Sequence, residues 1–146
     1  MNLGARCRIE IAESKRVLDR MNAAARKVLM RQGANIRKVA RNSITTEDHP
    51  SAPGHAPRNV TGLLRNFILF LWDSSSSSVV VGPAALKGGV AVVPRILEEG
   101  GTELATVKRG REWKKQQVTI APRPYMAPAL KLSQAQMPQL WAKSVV

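Results

Sequence analysis

One cysteine, Cys7, is all the chain contains, and a single thiol excludes an internal disulfide. That suits a reducing cytoplasm, or an assembly built there. Aromatics make up only 4% of the residues, so the core must be mostly aliphatic. So few rings also leave base stacking poorly supplied. No apolar run reaches the roughly 20 residues of a membrane-spanning helix. The opening MNLGARCRIEIAESKR has no uninterrupted apolar stretch, so no secretory signal is expected. Acids are scarce as well, 10 against 23 Lys and Arg, and the formal net charge is +13.

The residues that carry chemistry are equally sparse. There is no C-x-x-C or H-E-x-x-H spacing, which argues against a metal site. The two histidines, His49 and His55, share one Pro/Gly-rich segment, far in sequence from Cys7. No G-x-S-x-G elbow or phosphate-cradling G-x-x-x-x-G-K-[ST] run is present. Glu98 and Glu99 are adjacent, and neighbours on a helix point apart rather than forming an acid–base dyad. No cofactor and no catalysis are expected.

What the chain has is positive charge, unevenly spread. Residues 1–45 carry eleven Lys/Arg against three acids, and TVKRGREWKK (106–115) carries five against one. Such a balance attracts polyanions without sequence preference. Lys108, Arg109, Arg111, Lys114 and Lys115 are the candidate polyanion contacts. The plainer account of them is a solvated helix face and a mobile basic loop.

At 146 residues, the chain is expected to form a single domain spanning 1–146. Ile11, Leu18, Met21, Ala25, Val28, Ile36, Val39 and Ala40 mostly recur at helical spacings, predicting one long helix over 9–44. Gly33 interrupts it and marks a kink or a close approach. A helix this long cannot bury its whole stripe on a small sheet, so part of it is expected to pack on another copy of the chain. Residues 45–62 form an extended Pro/Gly loop, expected to be mobile alone and ordered against a partner.

Residues 63–122 read as β-hairpins with a short helix between them. Thr61 is placed to cap the short turn GLLRN. FILFLW (67–72) pairs with VVVG (79–82) across a serine-rich tip. Six consecutive apolar residues show no alternation, which predicts cover on both faces of that strand. The long helix supplies one cover and a second subunit the other, making Phe67, Leu69 and Leu71 interface candidates. VAVVPRILEEGG gives a short strand and a helical turn ending at glycine. A second hairpin follows, with strands near 102–107 and 116–121 around a basic tip. Residues 123–146 form a C-terminal helical segment. The order predicts an α+β fold: a long N-terminal and a C-terminal helix packed on a small, largely antiparallel sheet.

APRPYMAPAL (121–130) puts three prolines within seven residues and then starts a helix. Each proline fixes its own φ and biases the residue before it towards extended backbone. Pro128 is tolerated in a helix's first turn. The chain therefore arrives extended, turns at Pro124 and delivers Tyr125 and Met126 at a set angle. This is a docking corner, either inside the core or against a partner.

The ordered pieces RQGANIRKVARNSI (31–44), SAPGHAPRNVTGLLRNF (51–67), VVVGP (79–83), ILEEGG (96–101), APRPYMAPAL (121–130) and LW (140–141) carry a resemblance. Over roughly residues 25–143 the chain resembles the tail-component family of long-tailed bacteriophages and prophages, the head–tail joining or tail-completion proteins of the neck. The resemblance implies a structural virion protein, without catalysis or cofactor, present in the host cytoplasm during assembly. It implies a homo-oligomeric ring, hexameric or dodecameric, between the head connector or adaptor and the tail-terminator or tail-tube proteins. By position it marks Pro53, Gly54, Pro57, Thr61, Gly62 and Leu63 in the loop, and Gly82 and Pro83 at the strand end. It also marks Leu97, Glu98, Gly100 and Gly101 in the turn, and Arg123, Pro124, Tyr125, Pro128, Ala129 and Leu130 at the corner. Pro53, Gly54, Pro57, Thr61, Gly62, Glu98, Arg123 and Tyr125 join the subunit or partner interface candidates. The loop departs from the family's commoner pattern in reading P-G-H-A-P rather than P-G-x-P-P. The turn has Glu99 where an aromatic is common. The alternative function is a basic nucleic-acid-binding module that contacts the phosphate backbone without sequence specificity.

Overall fold

The computed structural model describes residues 3–59, 61–84, 93–109 and 112–144, with side chains from Ser14 onward except at 105, 107–109 and 112–113. Helix α1 runs unbroken through Leu3–Ser43, so Gly33 does not break it. At 1.5 Å per residue, a helix of this length spans about 60 Å, several times the radius expected of a domain this size. Among its described side chains, those from Ala24 onward are the packed ones. Val28, Gln32, Ile36, Ala40 and the following Ile44 are buried, a ridge of four-residue steps along one side. Residues 14–23 are all exposed, Leu18 and Met21 of the expected stripe among them.

The first hairpin pairs β1 (Ile68–Asp73) with β2 (Ser78–Pro83). Partners across the ladder share a face. Ile68, Phe70 and Trp72 lie with Val79, Val81 and Pro83, and this row is buried or half-buried beside α1. A Cβ added to Gly33 would come within 2.5 Å of Val79 Cγ1 and 3.2 Å of Phe70 Cδ2. Gly33 is thus the site of close approach, the second of the two roles expected of it. Asp73 closes the serine tip: its carboxylate accepts from Ser75 N–H (2.9 Å) and from the hydroxyls of Ser75 and Ser76 (both 2.6 Å). The Ser75 and Ser76 hydroxyls hold the Asp73 carboxyl down to about 2.

The short helix α2 (Leu63–Asn66) precedes β1. Helix α3 (Val93–Glu99) follows the first hairpin. The strand expected just before it falls mainly on 90–92, outside the described residues, and Val93 itself opens α3. The second hairpin pairs β3 (Gly101–Arg109) with β4 (Glu112–Ile120). Its ladder is longer than expected, and most of the basic segment lies in paired strand rather than in a loop. The two hairpins form separate two-stranded sheets, where a single small sheet was expected. Helices α4 (Met126–Gln134) and α5 (Met137–Ala142) complete an α+β fold. Tyr125 and Ala129 pack with Ile36, Ala40, Ile44 and Ile68 in one cluster. No described helix is long and apolar enough to cross a membrane.

Candidate functional site

The loop after α1 closes on itself. Thr45 bridges Arg58 in parallel, and Asn59 N–H donates to Thr45 O at 2.9 Å. This gives a loop with adjoining ends, packed by its own side chains. Pro57 and Ser51 are buried, and Arg58 pairs with Glu47 at 2.9 Å. The corner holds it from outside. Gly54 N–H donates to Pro122 O (2.8 Å), and Arg123 Nε donates to Ser51 O (3.0 Å). The expectation of a loop ordered only by a partner gives way here, because backbone bonds within the chain already fix residues 45–59. Thr61 Oγ1 accepts from Leu63 N–H at 3.4 Å, a long bond at the start of α2.

Four of the interface candidates make their contacts within the chain, two of them buried and two half-buried. Pro57 and Tyr125 are fully buried. Arg123 joins the loop, α3 and the corner: besides Ser51, it bonds Ala121 O through Nη1 and Leu97 O through its backbone N–H. Glu98 reaches from α3 to the start of α4. Its carboxylate accepts from the N–H groups of Tyr125 (3.0 Å), Met126 (3.1 Å) and Ala127 (2.8 Å). These first-turn donors have no partner inside their own helix, and Tyr125 supplies no side-chain cap. An anion at a helix N-terminus also complements the helix dipole. Glu99 points elsewhere, to Arg95 at 3.1 Å. Burial, reinforced by the Glu98 charge, pushes the Tyr125 phenol up to about 12.

The candidates left at the surface fall in two places. Pro53 and Gly54 are exposed at the loop tip, with exposed Thr61 and half-buried Gly62 at the end of the same segment. Leu69 and Leu71 line the outer face of the first hairpin, Val80 lies opposite Leu71, and exposed Phe67 ends α2 just before the strand. Leu71 is 58% exposed and Val80 53%. The FILFLW run therefore has one covered and one bare face. A second bare apolar row, Val17, Leu18 and Met21, runs along the exposed stretch 14–23 of α1. Their spacing of three and four puts these residues on one side of the helix. Sequence reasoning missed that the bare part would lie at 14–23.

Of the polyanion candidates, Lys114 and Lys115 are exposed on β4. Lys108 and Arg109 lie in β3 by their backbone, and Arg111 falls outside the described residues. A different cationic cluster emerges between α1 and α2. Arg37, Lys38, Arg41 and Arg65 line an open cleft of about 500 Å³, together with Asn42 and Thr46. Among the described residues, no group of His, Cys, Asp and Glu is placed to hold a metal ion. Comparison with protein-family models, curated proteins and solved structures finds no match to this chain.

Proposed function

We propose that the chain is a structural subunit of a bacteriophage neck, forming an oligomeric ring that joins the head connector to the tail tube. The observation that carries this reading is the bare outer face of the first hairpin, Leu69, Leu71 and Val80, with exposed Phe67 just before it. Contiguous exposed apolar rows mark association surfaces. The row Val17–Leu18–Met21 on α1 is a second, different surface of the same kind. Contact between unlike surfaces of identical subunits is head-to-tail, and it makes a ring when the rotation closes. The ordered loop, turn and corner segments that resemble the tail-component family supply the place of that ring.

Electron microscopy of the purified protein tests the reading. Closed rings of one copy number, six or twelve, are expected. Open fibres, or no particle larger than the single chain, contradict it. Backbone contact with nucleic acid is the competing function, and a particle that forms only when nucleic acid is added favours it.

A further inference from the structure

Positive charge is abundant in this chain, but in one place it converges. Arg37, Lys38 and Arg41 lie on α1 and Arg65 on α2, and all four line the same cleft. Arg37 and Arg41 are four residues apart, on one side of the helix. Two of the guanidiniums are held in place. Arg37 Nε donates to Ile68 O at 2.9 Å, and its guanidinium carbon sits 5.9 Å from the centre of the Phe70 ring. Arg41 Nη2 donates to Asn66 Oδ1 at 3.3 Å. A guanidinium carries five N–H donors, so each keeps others to offer. Among the described residues, no carboxylate lines the cleft and none of the four cations forms an ion pair. Asn42 and Thr46 add uncharged donors at the rim.

We propose that this cleft binds a phosphate group, carried by a nucleic-acid strand or by a small phosphorylated molecule. Fixed guanidinium forks match phosphate oxygens two at a time and lose little freedom on binding. A lone carboxylate presents two oxygens in one plane, which a single fork satisfies. A tetrahedral phosphate presents oxygens in several directions, as donors arriving from two helices require. The inference is independent of the neck reading. It also rests on residues other than those of the basic segment of the second hairpin, where sequence alone put the polyanion contacts.

The test uses the full chain and two charge-matched variants. Lys38→Glu with Arg65→Glu alters the cleft. Lys131→Glu with Lys143→Glu removes the same charge from exposed positions on and after the last helices. The probes are a fluorescein-labelled 12-base-pair DNA, inorganic phosphate and poly-glutamate. Binding of the labelled DNA is followed by anisotropy at several salt concentrations. The cleft variant is expected to weaken it at least about tenfold and to flatten the salt dependence by about two phosphate contacts, with the control within about threefold. Folding is checked by circular dichroism, and Lys38→Gln with Arg65→Gln repeats the comparison if the first variant is unfolded.

If DNA binding is the same in both variants, phosphate is titrated instead, with amide shifts read at 37, 38, 41 and 65 by NMR. Saturable shifts confined to the cleft assign it to a small phosphate. An absence of such shifts, or poly-glutamate binding as tightly as the DNA, overturns the proposal.

Discussion

Gly33 sits where α1 and the first hairpin come closest, and two effects of opposite sign meet there. Replacing it with alanine favours the helix by about 1 kcal/mol. The new methyl group would overlap Val79 Cγ1, on a branched side chain with little rotamer freedom. Overpacking of this kind costs about 1–3 kcal/mol, so Gly33→Ala is expected to destabilise the protein by about 1 kcal/mol in urea melts. A gain in stability would mean that the hairpin packs less closely than described. The sequence marked this glycine as unusual, but only the register of the hairpin on α1 decides between kink and contact.

Glu98 and Tyr125 make a second test at the same scale. The chain has a single tyrosine, so phenolate absorbance reads Tyr125 alone. Its midpoint is expected near 12 rather than the ordinary 10. The folded state resists ionisation, so this group's contribution to stability is whole below pH 10. It fades as pH rises towards 12. Glu98→Ala removes the smaller of the two causes. It should lower the midpoint slightly, leave it above 10, and cost about 2 kcal/mol through lost hydrogen bonds to a charged group. A tyrosine titrating at 10 in the folded protein contradicts the buried corner. Nothing in the order of residues ties Glu98 to a helix that starts 28 positions later. The turn motif singled out this residue, and the fold reveals it as a cap supplied from another element.

Among the elements, the first hairpin separates what a subunit needs in order to fold from what it leaves uncovered. Ile68 is fully buried and Leu71 is mostly exposed, three residues apart in one apolar run. Ile68→Ala is expected to cost about 2–5 kcal/mol. Leu71→Ala should change the stability of the isolated chain by less than about 0.5 kcal/mol. Equal losses at both positions, measured on the dissociated chain, would mean that the outer face is covered from within. The strand itself was legible from its β-rich run and polar tip. Its sidedness was not, because every position from Phe67 to Trp72 is apolar and period-two alternation is absent. The same limit applied to α1: the helix was legible from its spacing, while the bareness of 14–23 depends on where the hairpin and α4 pack. The loop was misjudged for a different reason. Its composition signals turns, but the bonds that hold it go to Pro122 and Arg123, far along the chain.

For the whole molecule, two features stand out together: the strong positive charge, and apolar rows on α1 and the first hairpin that the single chain leaves open. Charge of one sign opposes self-association at low ionic strength and is screened as salt rises. Apolar contact is not weakened in this way, and salts excluded from the surface strengthen it. Assembly through these rows should therefore persist or tighten in high salt, whereas a nucleic-acid-bridged aggregate should fall apart. The mass of the nuclease-treated protein in high salt, measured by light scattering beside Leu69→Asp with Leu71→Asp, tests this most directly. The account predicts a closed multiple of 16.0 kDa for the natural chain and a folded single chain for the variant. A natural chain that stays at 16.0 kDa at high concentration, or a variant that assembles as well as the natural chain, would contradict it.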